Sequence, residues 1–187
     1  MFGIPGLDSF GAIHAAIGIA GLLLGLAVVV LQKGTAWHRR FGLLYAAAMV
    51  LLNATALAIY DLFGRFGPFH ILALASLATL GAGVIPVWLR RPREWLDIHA
   101  RCMSWSYAGL VAAFFAEIGA RLPGVGFVTG VLVPTVGVTL IAAVFIHVRV
   151  PRVVARVALL NVMRRRPCAR GAGREASTDG NQLGCPR

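Results

Sequence analysis

Histidine is scarce in this chain, and four of its five copies stand in matched settings. Gly11-Ala12-Ile13-His14 is echoed by Gly67-Pro68-Phe69-His70, and each histidine is followed eleven positions later by a glycine, Gly25 or Gly81. His38-Arg39-Arg40-Phe41 is echoed by His99-Ala100-Arg101-Cys102, and each of these histidines has a tyrosine about two turns on, Tyr45 or Tyr107. Imidazole titrates near neutrality and carries a nitrogen lone pair that binds transition metals. Two imidazoles brought face to face could hold a metal between them or pass a proton. Which of these applies depends on the elements that carry them.

Those elements are apolar. Hydrophobic residues make up 58% of the chain and charged ones 13%, with a mean hydropathy of +0.78. A soluble domain of this length needs a larger polar shell. Apolar stretches of about 20 residues follow one another, the length that crosses a bilayer as a helix. Lipid offers the backbone no hydrogen-bond partner, so such stretches are helical. The expected fold is an all-α integral membrane protein, residues 1–150 forming a bundle of about five transmembrane helices. The spans are expected near 9–31, 41–63, 69–88, 102–120 and 126–148. Residues 1–8 contain no Lys or Arg, unlike the basic start of a cleaved signal, so the first stretch reads as a retained span.

The charge of +11 invites a nucleic-acid reading, but its placement argues for a membrane instead. Lys33, Arg39 and Arg40 lie between spans one and two, and Arg90, Arg91, Arg93 and Arg101 between spans three and four. The alternate connections carry only Arg65 and Arg121. Basic residues on every second loop mark the cytoplasmic side. The expected topology puts the amino terminus outside and the carboxyl terminus in the cytoplasm, in a multi-pass protein of the inner (cell) membrane. Trp37, Trp88 and Trp95 fall near that cytoplasmic boundary, where indoles prefer to sit. Residues 151–163, with Arg152 and Arg156 beside Val153, Val157, Leu160 and Met163, read as an interfacial amphipathic helix on an anionic leaflet. Residues 164–187 are rich in Arg, Gly, Ala, Ser and Pro and read as a disordered cytoplasmic tail.

On this frame His14 and His70 share the outer level, and His38 and His99 the cytoplasmic one. The echo between spans one–two and three–four is a parallel two-helix repeat, which implies a pseudo-two-fold axis along the membrane normal. Such an axis would set His14 opposite His70 and His38 opposite His99. Facing imidazoles on separate helices are the axial ligands a b-type haem needs. Glycines would clear room for the ring, and Arg39, Arg40 and Arg101 could neutralise propionates. The two levels lie about 20–28 Å apart, a layout suited to moving electrons between a donor and an acceptor on opposite faces. Copper or zinc would need further ligands at each level. A proton relay, or plain helix packing with imidazoles reaching interfacial water, also accounts for the pattern.

The remaining polar residues read as follows. Asn53, near mid-membrane, needs a bond to a neighbouring helix. Glu117 with Arg121 one turn on reads as a stabilising pair, or as a carboxylate serving the outer site. Ser104, Ser106 and Tyr107 could line the interior, Asp61 and Arg65 form a boundary pair, and His147 is interfacial. Cys102, Cys168 and Cys185 match no metal spacing. There is no phosphate-binding loop and no dinucleotide fingerprint, so any enzymatic activity would be that of a membrane oxidoreductase whose cofactor carries the chemistry.

The run Lys33-Gly34-Thr35-Ala36-Trp37-His38-Arg39-Arg40-Phe41-Gly42 resembles the KG-x-x-x-HR-x-x-G signature of a bacterial membrane-protein family known as domain of unknown function 2306. Gly67-Pro68-Phe69-His70, the stretch from His99 to Tyr107, and Glu117 with Arg121 fit it too, so the resemblance covers about residues 10 to 122. It implies a polytopic membrane protein and brings no settled activity. In architecture alone the histidine layout is similar to the cytochrome b561 group, whose members hold two haems between paired histidines. The leading expectation is a di-haem b-type cytochrome with cofactor ligands His14, His70, His38 and His99, aided by Arg39, Arg40 and Arg101. The alternative is a haem-free transporter, metal-handling or assembly protein. The partners expected are the lipid bilayer and an electron donor and acceptor, with no nucleic acid.

Overall fold

The computed structural model describes residues 9–58, 66–90 and 94–164. Within them the chain forms five helices and no strand: α1 Ser9–Val30, α2 Ala36–Ala58, α3 Pro68–Leu89, α4 Trp95–Ala120 and α5 Phe127–Arg164. All five are long and apolar enough to cross a membrane. The expected tail, the Asp61–Arg65 pair, Arg91, Arg93, Cys168 and Cys185 lie outside the described residues.

Each helix is apolar on nearly every face, because lipid and protein interior make the same demand. Leu23, Val30, Leu43, Ile71, Ile141 and Val144 are among the large side chains left exposed on the bundle's outer surface. Sequential helices pack against one another, and α4 returns to touch α1, so α1 to α4 close a ring. α1 and α3 occupy one diagonal and α2 and α4 the other, with no direct packing across either pair of backbones. A parallel two-helix repeat requires this arrangement. It also gathers Lys33, Arg39, Arg40, Arg90 and Arg101 at one end, called here the basic end.

The connections explain the geometry. Gly34 (φ 82°) makes the tight turn after α1, and the Thr35 hydroxyl accepts from the His38 amide at 3.2 Å to start α2. Pro68 opens α3, where its missing N–H is harmless. α5 packs only on α4, and their closest approach pairs Gly119 with Gly130, backbone against backbone. Pro134 has no N–H to offer the Gly130 carbonyl, and that carbonyl lies against Gly119.

Two boundaries differ from expectation. α2 and α4 begin at Ala36 and Trp95, so His38 and His99 sit inside helices and not just before them. An i,i+4 pair between Arg101 and Asp97 (2.6 Å) supports the early turn of α4. The segment expected as a separate interfacial helix at 151–163 continues α5 without a break through Pro151.

Candidate functional site

The ring's interior is best packed two turns in from the basic end. Tyr45, 1% exposed, joins Met49, Leu80 and Leu110 in a single buried cluster. Tyr45 and Ser106 share a hydrogen bond of 3.0 Å between hydroxyls, and the Tyr45 and Tyr107 rings meet edge to face with centroids 6.3 Å apart. Tyr107 donates to the Leu22 carbonyl at 3.3 Å. Gly25 leaves the gap these two rings fill, since any Cβ there would collide with Tyr107.

His38 and His99 are carried above this floor on the same two helices as Tyr45 and Tyr107, α2 and α4. His38 lies seven residues before Tyr45 and His99 eight before Tyr107, about 10–12 Å towards the basic end on both helices. The two imidazoles lie within electrostatic reach of each other, and His38 also senses Lys33 and the Val28 carbonyl. Nδ1 of His38 is buried with no hydrogen-bond partner among the described residues. Nδ1 of His99 bonds the Gly83 carbonyl at 2.8 Å. As the donor there, it fixes the ring and leaves the lone pair on Nε2, the tautomer that metal-ligating histidines adopt. Arg39 and Arg40 are exposed at this end, Arg40 lying over the Trp37 ring at 5.6 Å, while Arg101 is engaged by Asp97. Lys33 donates to the carbonyls of Val28 and Val29, each at 2.7 Å, closing the end of α1.

The other end is built differently. His14 is half-buried, its Nδ1 bonded to the Thr55 hydroxyl of α2 at 2.7 Å. It lies within electrostatic reach of Glu117 on α4, which is ion-paired with Arg121. His70 is buried on α3, its ring stacked beside Phe66 with centroids 5.0 Å apart. Its Nδ1 accepts from the Gly67 amide at 3.2 Å, reaching back over the start of its own helix. Among the described residues no hydrogen bond or ring contact joins His14 to His70. Register separates them as well. Asn53 donates to Ser76 at 3.1 Å, which sets α2 against α3 and puts His70 about 6 Å farther out than the Thr55 level. His38 and His99 thus interact electrostatically, while the described bonds of His14 and His70 go to Thr55 and Gly67.

A family profile described as "predicted membrane protein", domain of unknown function 2306, matches residues 11–155. The chain belongs to this family. No curated protein and no solved structure matches it. All four paired histidines, Glu117 and Asn53 fall within the part that matches the family.

Two further expectations have counterparts, for Asn53 and Ser106. Asn53 is bonded to a neighbouring helix through Ser76. Ser106 is buried inside the bundle, whereas Ser104 bonds back to the Ala100 carbonyl of its own helix. His147 is exposed. Sequence reasoning missed Thr55, Lys33 and the Gly83 carbonyl as histidine neighbours. For Lys33 a signal was available, because the Lys-Gly-Thr run before a helix is a ready-made turn and cap. No group of three or more metal-ligating side chains is found among the described residues.

Proposed function

We propose that this multi-pass membrane protein carries electrons on b-type haem, with His38 and His99 as the axial ligands of its principal site. The carrying observation is the His38–His99 pair itself. Two imidazoles on diagonal helices interact electrostatically; His38 has a buried Nδ1 without a hydrogen-bond partner among the described residues, and His99 is fixed through Nδ1 by a backbone carbonyl, which leaves its Nε2 lone pair available. Bound haem would supply one-electron chemistry between its ferric and ferrous states. The chain's own part is to hold the ligands on two rigid helices, to close the floor below with Tyr45 and Tyr107, and to place Arg39 and Arg40 where carboxylates would meet water. Basic residues on alternate connections support placing this end in the cytoplasm, with the amino terminus outside.

A second haem between His14 and His70 belongs to the same reading but asks more of the chain. While His70 Nδ1 accepts from Gly67, the neutral ring keeps its proton on Nε2, so ligation there requires the cap to open. One observation favours a haem-free alternative, a proton-handling transporter: His14 is bonded to Thr55 and lies near the Glu117 carboxylate.

The deciding experiment is a visible spectrum of the detergent-purified protein from haem-supplemented cells, oxidised and then dithionite-reduced. The expected result is a b-type alpha band that is lost in His38→Ala and His99→Ala. A halved haem-to-protein ratio in His14→Ala would establish the second haem, and an unchanged ratio would limit the protein to one. A folded, colourless protein overturns the haem reading and leaves the proton-handling one.

A further inference from the structure

α5 is far longer than a membrane requires. Its 38 residues make a rod of about 57 Å, against a hydrocarbon core of about 30 Å. A span of about 20 residues begun at Phe127 ends near His147, and the helix then runs on to Arg164. The face that packs on α4 is marked by the buried side chains of Ile146 and Val150. Away from that face a row at every fourth position winds around the helix, all of it exposed: Leu140, Val144, Val148, Arg152, Arg156.

Two adjoining shallow hollows follow this row. The first is lined by Leu140, Val144, Val148 and their neighbours, with Arg149 at its end. The second is framed by Arg149, Arg152 and Arg156 around Val153. Arg149 belongs to both, and its guanidinium lies over the Phe145 ring at 5.3 Å, which holds it at the junction. No ion pair among the described residues engages these three arginines. The surface therefore changes from apolar to mainly basic near the depth where a span of about 20 residues would end, and among the described residues no ion pair neutralises its cations.

We infer that this surface is a binding site for one anionic phospholipid. An acyl chain lies along Leu140, Val144 and Val148, and the phosphate is held by Arg149, Arg152 and Arg156. Charge complementarity selects the headgroup, since guanidinium forks pair with phosphate oxygens. The continuous apolar hollow selects a ligand with a chain attached, in preference to free phosphate. Val153 lies between the arginines and gives the glycerol backbone an apolar seat. The inference is independent of the histidines and of any haem.

The test is native mass spectrometry of the full-length protein in detergent, titrated with phosphatidylglycerol, phosphatidylcholine or inorganic phosphate. The expected result is a single lipid adduct with about tenfold preference for phosphatidylglycerol over phosphatidylcholine. The double variant Arg152→Gln/Arg156→Gln should abolish the preference. Val144→Trp, which fills the apolar hollow, should weaken the adduct while leaving net charge unchanged. All three substitutions fall at exposed positions, and an unchanged elution profile will establish that the bundle is intact. Equal binding of the two lipids, wild-type preference in the double variant, or phosphate competing as well as the lipid would each overturn the proposal.

Discussion

The two ends of the four-helix ring are held together by different means. Towards the basic end, aromatic and aliphatic side chains from all four helices interlock around Tyr45, and glycine is used to admit a ring. Towards the other end, the described side-chain hydrogen bonds between helices are His14 to Thr55 and Asn53 to Ser76, with small side chains such as Ala73 buried. The first kind of packing fixes positions in three dimensions, because many atoms must move together. The second fixes one distance and leaves rotation free. His38 and His99, the pair proposed above as ligands, stand on the first kind of frame.

The sharpest way to break that contrast is to load the two halves of α1 equally. Gly25→Ala forces a methyl into the Tyr107 ring and to 3.0 Å from Tyr45. Overpacking of this kind should destabilise the protein by about 1–3 kcal/mol. Gly18→Ala meets only Leu52, at an ordinary 3.6 Å, and should be neutral or stabilise by up to about 1 kcal/mol through helix propensity. Unfolding in mixed sodium dodecyl sulfate and neutral-detergent micelles reads both. Equal losses would mean that the halves are packed alike.

A smaller effect is expected at the midpoint. Asn53→Ala removes the bond to Ser76 and should lower stability by about 0.6–1.7 kcal/mol. The second Asn53 bond, to the Met49 carbonyl at 2.7 Å, is local to α2. Ser76→Ala should therefore reproduce most of the loss, as the same micelle titration would register. A silent Ser76→Ala would place the role of Asn53 within its own helix.

These contrasts also mark what the sequence could disclose. Helix number and position were legible because span length and apolarity are properties of single segments. The shared level of His38 and His99 was legible because the tyrosines two turns on repeat with the histidines. The early start of α4 was not, since Asp97, His99 and Arg101 in one short run read as a polar loop. Their helical order rests on the Asp97–Arg101 pair and on a bond from His99 to another helix. The continuation of α5 through Pro151 was hidden for a related reason. The lost ladder bond frees the His147 carbonyl, and at the membrane surface water can satisfy it. The partners of His14 and His70 depend on how each helix is rotated about its axis. Helices apolar on every face carry little pattern to specify that rotation, so Thr55 could not be singled out in advance.

The smallest expected effect concerns pH at the basic end. Lys33 lies in the turn between α1 and α2, half-buried, and burial pushes its ammonium below the usual 10.5. Its donors bind the Val28 and Val29 carbonyls, and a neutral amine has enough N–H groups to keep both. The folded state therefore disfavours the charged form relative to the unfolded chain, which holds its proton up to 10.5. Below the folded pKa the penalty is present in full. As pH rises through that value it is relieved, and stability should climb until 10.5 and then level. Lys33→Met removes the titration while orphaning two carbonyls, so it should lie below wild type throughout and lack the alkaline rise. Micelle unfolding across that window, taken as the difference between the two proteins, isolates Lys33 from the tyrosines and Cys102. A difference that stays flat or shrinks with rising pH would mean that the ammonium is as well accommodated in the folded turn as in water.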